Sequence, residues 1–462
     1  MFKLRRARYG PWGAYHGYWV EDLREIEPGF GGEPALRTLA SGLHARKLKL
    51  VLDIVLNHAA PDGTLVKTKP EWFHHHGGIE DFNDPEQLVS YDVHGLPDLA
   101  QEKPEVHDYL LQSALKWLGP TFGDGLRLDA VKHMPRAFWR QFSAEVKAKA
   151  GQGVFLVGEE LEGNASKLSA AWRESGFDAV FDFPLAFALN DVFCRGAAPE
   201  RLAAVLANDR LYPDPSALVT LLDNHDLPRV MTVCGGDVTR VQNALTALLT
   251  ARGIPSIQQG TEVGLAGEKE PENRRDMKFE KGPLFAHVKK LLALRRSSPA
   301  LREGVPTVHE VATRFIALGR VAPNERAVIA INAGTAPREV HLSGTGWRDA
   351  LGGQGGTRVG PGEVRVWTQP GDFAIEAYAA DAQWRRGAQK RRVTFTLPPG
   401  AKVTGSGPEL GFWTPARAVT EAELPVGAVF EFKVVRGESW EPGENRVLFV
   451  GPGEGTLRVL VE

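Results

Sequence analysis

Three carboxylates each stand just past an apolar, strand-like run, far apart in the chain: Asp129 after Gly125-Leu-Arg-Leu, Glu159 after Val154-Phe-Leu-Val-Gly, and Asp226 a few residues beyond Leu218-Val-Thr-Leu-Leu. Taken singly, an acid after a strand is more often a helix N-cap or a solvated loop charge. Their joint placement at strand ends points to chemistry. Cleaving a glycosidic bond takes one carboxylate to attack the anomeric carbon and one carboxylic acid to protonate the leaving oxygen, about 5 Å apart when configuration is retained. Neighbouring strands can supply that spacing. Arg127, two residues before Asp129, points to the same side of its strand. A guanidinium there would hold Asp129 ionised and fix its direction. Asp53, Asn57-His58, Glu160 and His225 add polar groups at the same kind of position. Glu159 and Glu160 face opposite ways along an extended chain, so only one of them can enter a site.

The elements that must carry these residues read as α/β. Strand candidates are Leu48–Leu56, Gly125–Val131, Val154–Gly158, Ala179–Phe183, Leu218–Leu222 and Ser256–Gln259. Between them, Val106–Leu118, Arg136–Ala150, Pro199–Ala207 and Val238–Arg252 repeat apolar residues at three and four. Polar residues at many strand ends favour a closed (β/α) barrel, whose strand ends converge on one mouth, over an open sheet with a single crevice. The polar stretch 59–102 is too long for an ordinary loop and would shape that mouth. After the basic helix Ala286–Ser298 the pattern changes to alternation in Phe315-Ile-Ala-Leu, Ala327-Val-Ile-Ala-Ile, Val340-His-Leu and Val364-Arg-Val-Trp, a small β domain. A linker-like stretch, Pro370–Gln389, leads to a second β segment that reads as a sandwich. The domains are therefore a barrel over 1–300 with an insertion at about 59–102, an all-β domain over 301–369, and a β-sandwich over 385–462.

Composition narrows the class. The 462 residues are 43% hydrophobic and 24% charged, as in folded globular proteins, and the net charge of −2 advertises no nucleic-acid or anionic-membrane partner. No apolar run is long enough to span a bilayer. Two cysteines, Cys194 and Cys234, exclude a disulfide framework and a cysteine-rich zinc site, and whether they pair is not legible. The start of the chain is basic but lacks the apolar core of a signal peptide.

Asp53-Ile-Val-Leu-Asn57-His58, Gly125-Leu-Arg127-Leu-Asp129-Ala-Val-Lys132-His133, Gly158-Glu159 and Leu222-Asp-Asn224-His225-Asp226 resemble, in order, the four signature segments of the α-amylase family, glycoside hydrolase family 13. Leu96-Pro-Asp98-Leu is similar to the fifth, and Tyr15-His16-Gly-Tyr18-Trp19 to a segment of cyclodextrin glycosyltransferases and related amylases. The resemblance runs from about residue 12 to residue 368. It implies a (β/α)8 TIM barrel, with Asp129 as nucleophile, Glu159 as general acid/base and Asp226 as the carboxylate that orients the sugar. His16, Tyr18, His58, Arg127 and His225 would contact substrate as well. Lys132 and His133 would lie on the leaving-group side, and Glu270 with Arg274 would be the donor-side pair, Glu standing where Asp is usual. The family's structural Ca²⁺ would be held by Asn57, Asp98 and the carbonyls of His133 and Val89. A zinc reading of His74-His75-His76 competes, but that run matches a loop stretch of the related transferases. Gly411-Phe-Trp413, Phe430-Glu-Phe-Lys433 and Trp440-Glu441-Pro-Gly-Glu-Asn445 resemble the family 20 starch-binding module, implying Trp413, Lys433, Trp440, Glu441 and Asn445 as binding residues, with sandwich core as the competing role for either tryptophan.

The resemblance implies a retaining hydrolase of α-1,4-glucosidic bonds, acting on starch and maltooligosaccharides through a covalent glycosyl-enzyme, extracellular and monomeric. Two alternatives stand beside it: a cyclodextrin glycosyltransferase-type transglycosylase and a non-catalytic starch-binding protein. His94 stands where cyclising enzymes carry a central aromatic, and Leu161 where they carry an aromatic that favours transfer, so hydrolysis is favoured. All three carboxylates and both histidines are in place, which speaks against a relic. The family's first two barrel strands and first helix would precede Tyr15, so barrel strands 1 and 2 are missing from this reading. With parallel edges left open, the 462 residues alone are expected to be unstable or inactive.

Overall fold

The computed structural model describes residues 2–6, 8–9, 12–353, 356–374 and 389–461. The start of the third expected domain, at 385, and most of the expected linker therefore lie outside the described residues. The chain divides into two compact units, 1–162 with 167–181, and 163–166 with 182–462.

In the first unit four parallel strands, Val51–Ile54, Gly125–Leu128, Phe155–Gly158 and Ala179–Val180, pair in sequence order. Gly125–Leu128 is buried throughout, as a parallel strand covered on both faces must be. Helices Pro104–Lys116 and Arg136–Ala150 cover the sheet with Val106, Leu110, Leu111 and Ala114 and with Phe138, Trp139, Phe142 and Val146, the spacing of one helical stripe. Buried indoles are satisfied: Trp117 donates to the Leu23 carbonyl at 2.7 Å and Trp139 to that of Val131 at 3.1 Å. The stretch 59–102 folds back on the first strand's end, with Leu99 N–H donating to the Asn57 carbonyl at 2.9 Å and Ala59 N–H to that of Pro97 at 3.2 Å. Several strands went unread in the sequence, among them Val20–Ile26, Val305–Ala312, Lys402–Gly405 and Glu421–Pro425. Val20–Ile26 pairs antiparallel with Phe2–Leu4 and buries Val20, Leu23 and Ile26, a spacing of three that mimics a helix because the register slips twice along the pair.

The second unit holds a two-stranded parallel pair, Val219–Thr220 with Ile254–Pro255, and helices Phe183–Phe193, Glu200–Leu206, Val238–Thr250 and Pro283–Ser297. Five of the six expected strands lie inside their expected ranges; the sixth, Ile254–Pro255, falls just before the expected Ser256–Gln259, which is not strand. All six run parallel, but the described strands form one sheet of four and one of two, and barrel closure is not seen among them. In sheet terms the reason is plain: no described strand pairs with the outer edge of Val51–Ile54, and Ala179–Val180 ends the first sheet.

The all-β domain is a five-stranded antiparallel sheet in the order Val305–Ala312, Phe315–Ala322, Glu325–Asn332, Glu363–Pro370, Arg348–Asp349. Val340-His-Leu is not a strand; Arg338–Glu339 just before it pairs with Arg358–Val359, and Val340 is buried beside them. The tail has two sheets, Glu421–Pro425, Lys390–Thr396, Leu457–Leu460 and Lys402–Gly405, Val429–Arg436, Ser439–Trp440 with Arg446–Phe449. They share a core of Val393, Phe395, Val403, Leu424, Phe430 and Phe432. Phe430 and Phe432 point inward, so Glu431 between them points away, the period of two expected of a strand.

Cys194, at the end of helix Phe183–Phe193, and Cys234 form a disulfide, both residues buried. It closes a loop of 40 residues that contains His225 and Asp226. Replacing both cysteines by alanine is expected to lower stability by about 2–4 kcal/mol, from the entropy returned to the unfolded chain. Urea unfolding of the variant against the oxidised parent measures it, and equal midpoints would mean that the bridge does not form in solution.

Candidate active site

Asp129 and Glu159 sit one residue past Leu128 and Gly158, which are paired partners on adjacent parallel strands. The ladder runs on through them: Asp129 N–H donates to the Ile54 carbonyl at 3.1 Å and Glu159 N–H to that of Leu128 at 2.9 Å. Strands lie about 4.8 Å apart, so the two carboxylates start from neighbouring positions at one end of the sheet. A single guanidinium spans them. Arg127 Nη1 bonds the Asp129 carboxylate and also Asp53 Oδ1 at 2.9 Å, while Nη2 stands 3.8 Å from Glu159 Oε2. Burial works against the charge on Arg127, but Asp53, Asp129 and Glu159 outweigh it and keep the group protonated well above the ordinary arginine range. Ala130, in the left-handed region at φ 52°, turns the chain so that its N–H donates to Glu159 Oε2 at 3.1 Å. Glu160 is settled elsewhere, taking both forks of Arg136 at 2.8 and 2.9 Å.

Tyr18 donates its hydroxyl to Asp53 Oδ2 at 2.9 Å, and His16 Nδ1 accepts the Tyr18 N–H at 3.0 Å, the two rings nearly parallel. His58 is buried, its Nε2–H donating to the Tyr18 carbonyl at 3.2 Å; burial pushes its pKa down to about 4, so the imidazole is neutral. Lys132 and His133 occupy the turn Val131–His133 that follows Ala130. His133 Nδ1–H donates to the Leu88 carbonyl at 3.1 Å, tying that turn to the helix Pro85–Ser90, which contains Val89.

The oxygens named for a cation were tested against this geometry. Asn57 and Asp98 are both buried, and Asn57 Oδ1 and Asp98 Oδ1 have no hydrogen-bond partner. Burial raises the Asp98 pKa to about 7, against the bond it accepts from His74 Nδ1 at 2.7 Å. A buried amide oxygen and a buried carboxylate oxygen, both unsatisfied, fit a hard oxygen-seeking cation such as Ca²⁺. The histidine run does not act as a unit: His74 turns to Asp98 and Glu102, His75 donates to the Pro70 carbonyl and His76 to that of Ser90. Among the described residues no group of three or more His, Cys, Asp or Glu is placed to hold a metal ion.

In the second unit His225 Nε2 stands 3.1 Å from Asp226 Oδ2, and Arg274 Nη2 donates to Asp226 Oδ1 at 2.9 Å. Glu270 lies 3.7 Å from Arg274. Asn273 holds the loop from behind, donating to the carbonyls of His225 and Leu227 at 3.0 and 3.2 Å. In the tail, Lys433 donates to the carbonyls of Glu441 and Gly443, and the Glu441 carboxylate accepts Val434 N–H at 2.9 Å and pairs with Arg446. Trp440 is 42% exposed, and Asn445 hydrogen-bonds Glu431. Trp413 lines a cavity with Phe187 and Arg201, whereas Trp440 lines a different one with Pro398 and Arg436.

The α-amylase catalytic domain matches residues 9–85 and 67–281, more than half of the chain. The protein belongs to the α-amylase family. A cyclomaltodextrinase of Geobacillus thermopakistaniensis is 33% identical over 356 residues, 71% of this chain and 58% of that enzyme. The chain spans from about a quarter to about two thirds of the length of the curated relatives it matches. Among solved structures, the α-amylase of Geobacillus thermoleovorans complexed with acarbose is 34% identical, with a TM-score of 0.73 over 81% of this chain and 87% of that one. The γ-CGTase of alkalophilic Bacillus clarkii, at 24% identity and a TM-score of 0.72, covers 99% of this chain and 88% of that one, a likeness of fold.

In this α-amylase family chain the first unit sets two carboxylates at the ends of adjacent strands with one guanidinium between them. Asp53, read from the sequence only as a polar group at a strand end with no role assigned, contacts Arg127 and Tyr18 at once, because it lies opposite Arg127 in register. Asn273 was missed because nothing in sequence marks a residue that acts on another loop's carbonyls. Replacing Arg127 with methionine leaves three carboxylates without their counter-charge, and the expected cost is about 3 kcal/mol at pH 7. The remaining acids then take up protons more readily folded than unfolded, so the loss should shrink below about pH 5. Urea unfolding at pH 7 and pH 4.5 checks it; a penalty independent of pH would show that the charge cluster is not what Arg127 stabilises.

Proposed function

We propose that this chain is the catalytic part of a retaining α-glucan hydrolase that cleaves α-1,4-glucosidic bonds of starch and maltooligosaccharides on a (β/α) barrel. The observation that carries the reading is the single Arg127 guanidinium touching Asp129 and lying beside Glu159 on the neighbouring strand. Asp129, kept ionised, attacks the anomeric carbon, while Glu159 gives its proton to the glycosidic oxygen and the first sugar product leaves. A covalent glycosyl-Asp129 ester remains. Glu159, now a carboxylate, takes a proton from water as the water attacks the same carbon, and the ester bond breaks with both groups restored. Asp226, with His225 and Arg274, is read as the sugar-holding carboxylate, and Tyr18 as an aromatic face for the ring, aimed by Asp53.

Relatives named cyclomaltodextrin glucanotransferase support a second reading, transfer to a sugar hydroxyl in place of water. Leu161 and His94 stand at positions where transfer and cyclisation call for aromatic rings, which supports water as the acceptor. Product analysis on soluble starch, with the protein that carries this chain, decides between them. Linear maltooligosaccharides are expected, and Asp129→Asn should lower turnover by about 10⁴-fold or more. Cyclic or elongated products would replace the hydrolase reading with the transferase, and adsorption without products would leave only a starch binder.

Ca²⁺ is proposed at Asn57, Asp98 and the carbonyls of His133 and Val89, where it would serve structure by tying the 59–102 stretch to the Val131–His133 turn. Returning Ca²⁺ to chelator-treated protein is expected to raise the melting temperature, and Asp98→Ala to abolish the rise. An unchanged melting temperature in the parent would exclude the site. An extracellular, oxidising location is proposed with it, supported by the Cys194–Cys234 disulfide.

A further inference from the structure

The tail sandwich and the helices of the second unit enclose a cavity of about 280 Å³. Its apolar walls are Phe187, Phe412 and Trp413; its polar groups include Arg201, Asn208 and Glu431. Phe187 is the one aromatic side chain of helix Phe183–Phe193 left partly exposed, since Phe183 and Phe193 are buried in the core. Phe412 and Trp413 are consecutive aromatic residues in the left-handed region, at φ 46° and 59°. Bulky residues rarely adopt that conformation, and strain of this kind persists where surrounding structure imposes it and clusters at binding sites. Here it is imposed by Phe412 N–H donating to the Gly407 carbonyl at 3.1 Å and Trp413 N–H to that of Gly405 at 3.0 Å.

The polar groups are built in. Asn208 is 5% exposed, donates its amide to the Ser406 carbonyl at 2.8 Å, and leaves Oδ1 without a hydrogen-bond partner. Arg201 pairs with Asp191 at 2.9 Å and lies 3.9 Å from Glu431, so the guanidinium on the wall is held between two acids of the protein. Burial raises the Glu431 pKa, which makes the group a readier donor. Flat apolar faces beside fixed donors and acceptors suit an uncharged ring that carries hydroxyls.

We propose that this cleft is a second carbohydrate site, shared by Phe187, Arg201 and Asn208 of the helices and by Trp413 and Glu431 of the sandwich, which takes glucose units of an α-glucan. The choice of glucose rests on the proposed function; the cleft itself does not. It differs from a platform carried by the sandwich alone because its walls come from both parts, and because Trp440 lines a separate cavity with no residue in common.

The test is maltoheptaose titrated calorimetrically into the protein that carries this chain, with Asp129→Asn, together with adsorption of that protein to granular starch. Phe187→Ala is expected to weaken starch adsorption and one calorimetric binding event by about tenfold, as is Trp413→Ala, while Trp440→Ala leaves that event in place. Phe187→Leu keeps the apolar bulk but not the flat face and is expected to weaken binding too, at the parent's melting temperature, which separates loss of a ligand face from loss of fold. Phe187 variants that fold and bind like the parent would overturn the inference, above all if Trp440→Ala alone abolished adsorption. Maltoheptaose cleavage by the unsubstituted protein that carries this chain is scored separately. Cleavage with binding indifferent to Phe187 sinks only the cleft, and Phe187-sensitive binding without cleavage sinks only the hydrolase.

Discussion

One buried guanidinium sets the terms for the first unit. Arg127 bonds Asp129 and Asp53 and stands beside Glu159, and those acids would repel one another at a sheet end if nothing positive lay among them. Its place is fixed by the sheet rather than by its own flexibility. Asp53 lies opposite it in register on one side, and Val157 on the other. A side chain in the middle strand of a parallel sheet reaches the ends of both neighbours, which is why one cation suffices. Buried ion clusters of this sort are poor sources of stability, because desolvation cancels most of the attraction. What this cluster supplies is a fixed arrangement of its carboxylates around one guanidinium.

Around this centre, each further residue is held by a group that has a separate job. Tyr18 is aimed by Asp53, itself a partner of Arg127; His58 is kept neutral by burial and oriented by the Tyr18 carbonyl. Glu160, the acid's neighbour, is drawn off by Arg136, so a second negative charge is neutralised before it can act on Glu159. The 59–102 stretch joins through backbone bonds to Asn57, and through the side chains of Asp98 and His74.

Much of this was legible in the chain, for identifiable reasons. Gly125–Leu128 and Phe155–Gly158 are short, continuous apolar runs, so both the strands and the acids just past them could be read; alternation showed that only one of Glu159 and Glu160 could enter a site, and the family resemblance pointed to Glu159. The antiparallel strand Val20–Ile26 could not, since its bulged register buries every third residue and imitates a helix. Pairing of Cys194 with Cys234 depends on where helix Phe183–Phe193 ends in space, which a separation of 40 residues does not encode. Closure of the sheet is not shown by the described strands. Strands of two residues, such as Ala179–Val180 and Val219–Thr220, carry the apolar signature of longer ones, and their pairing partners are a property of the fold, not of the run.

The tail makes the same point about context. Along Val429–Arg436, Phe430 and Phe432 fill the sandwich core while Glu431 faces the helix Glu200–Leu206 through Arg201. One strand thus serves two neighbours, and sequence alone shows only the inner one. Arg210 with Glu409, and Asn208 with the Ser406 carbonyl, pin the sandwich to those helices by buried polar contacts. A binding module on a flexible tether raises the local concentration of substrate without fixing its direction. A sandwich seated by geometry-dependent hydrogen bonds keeps a set orientation against those helices, and that seating puts Trp413 on one wall of a cavity with Phe187 and Arg201.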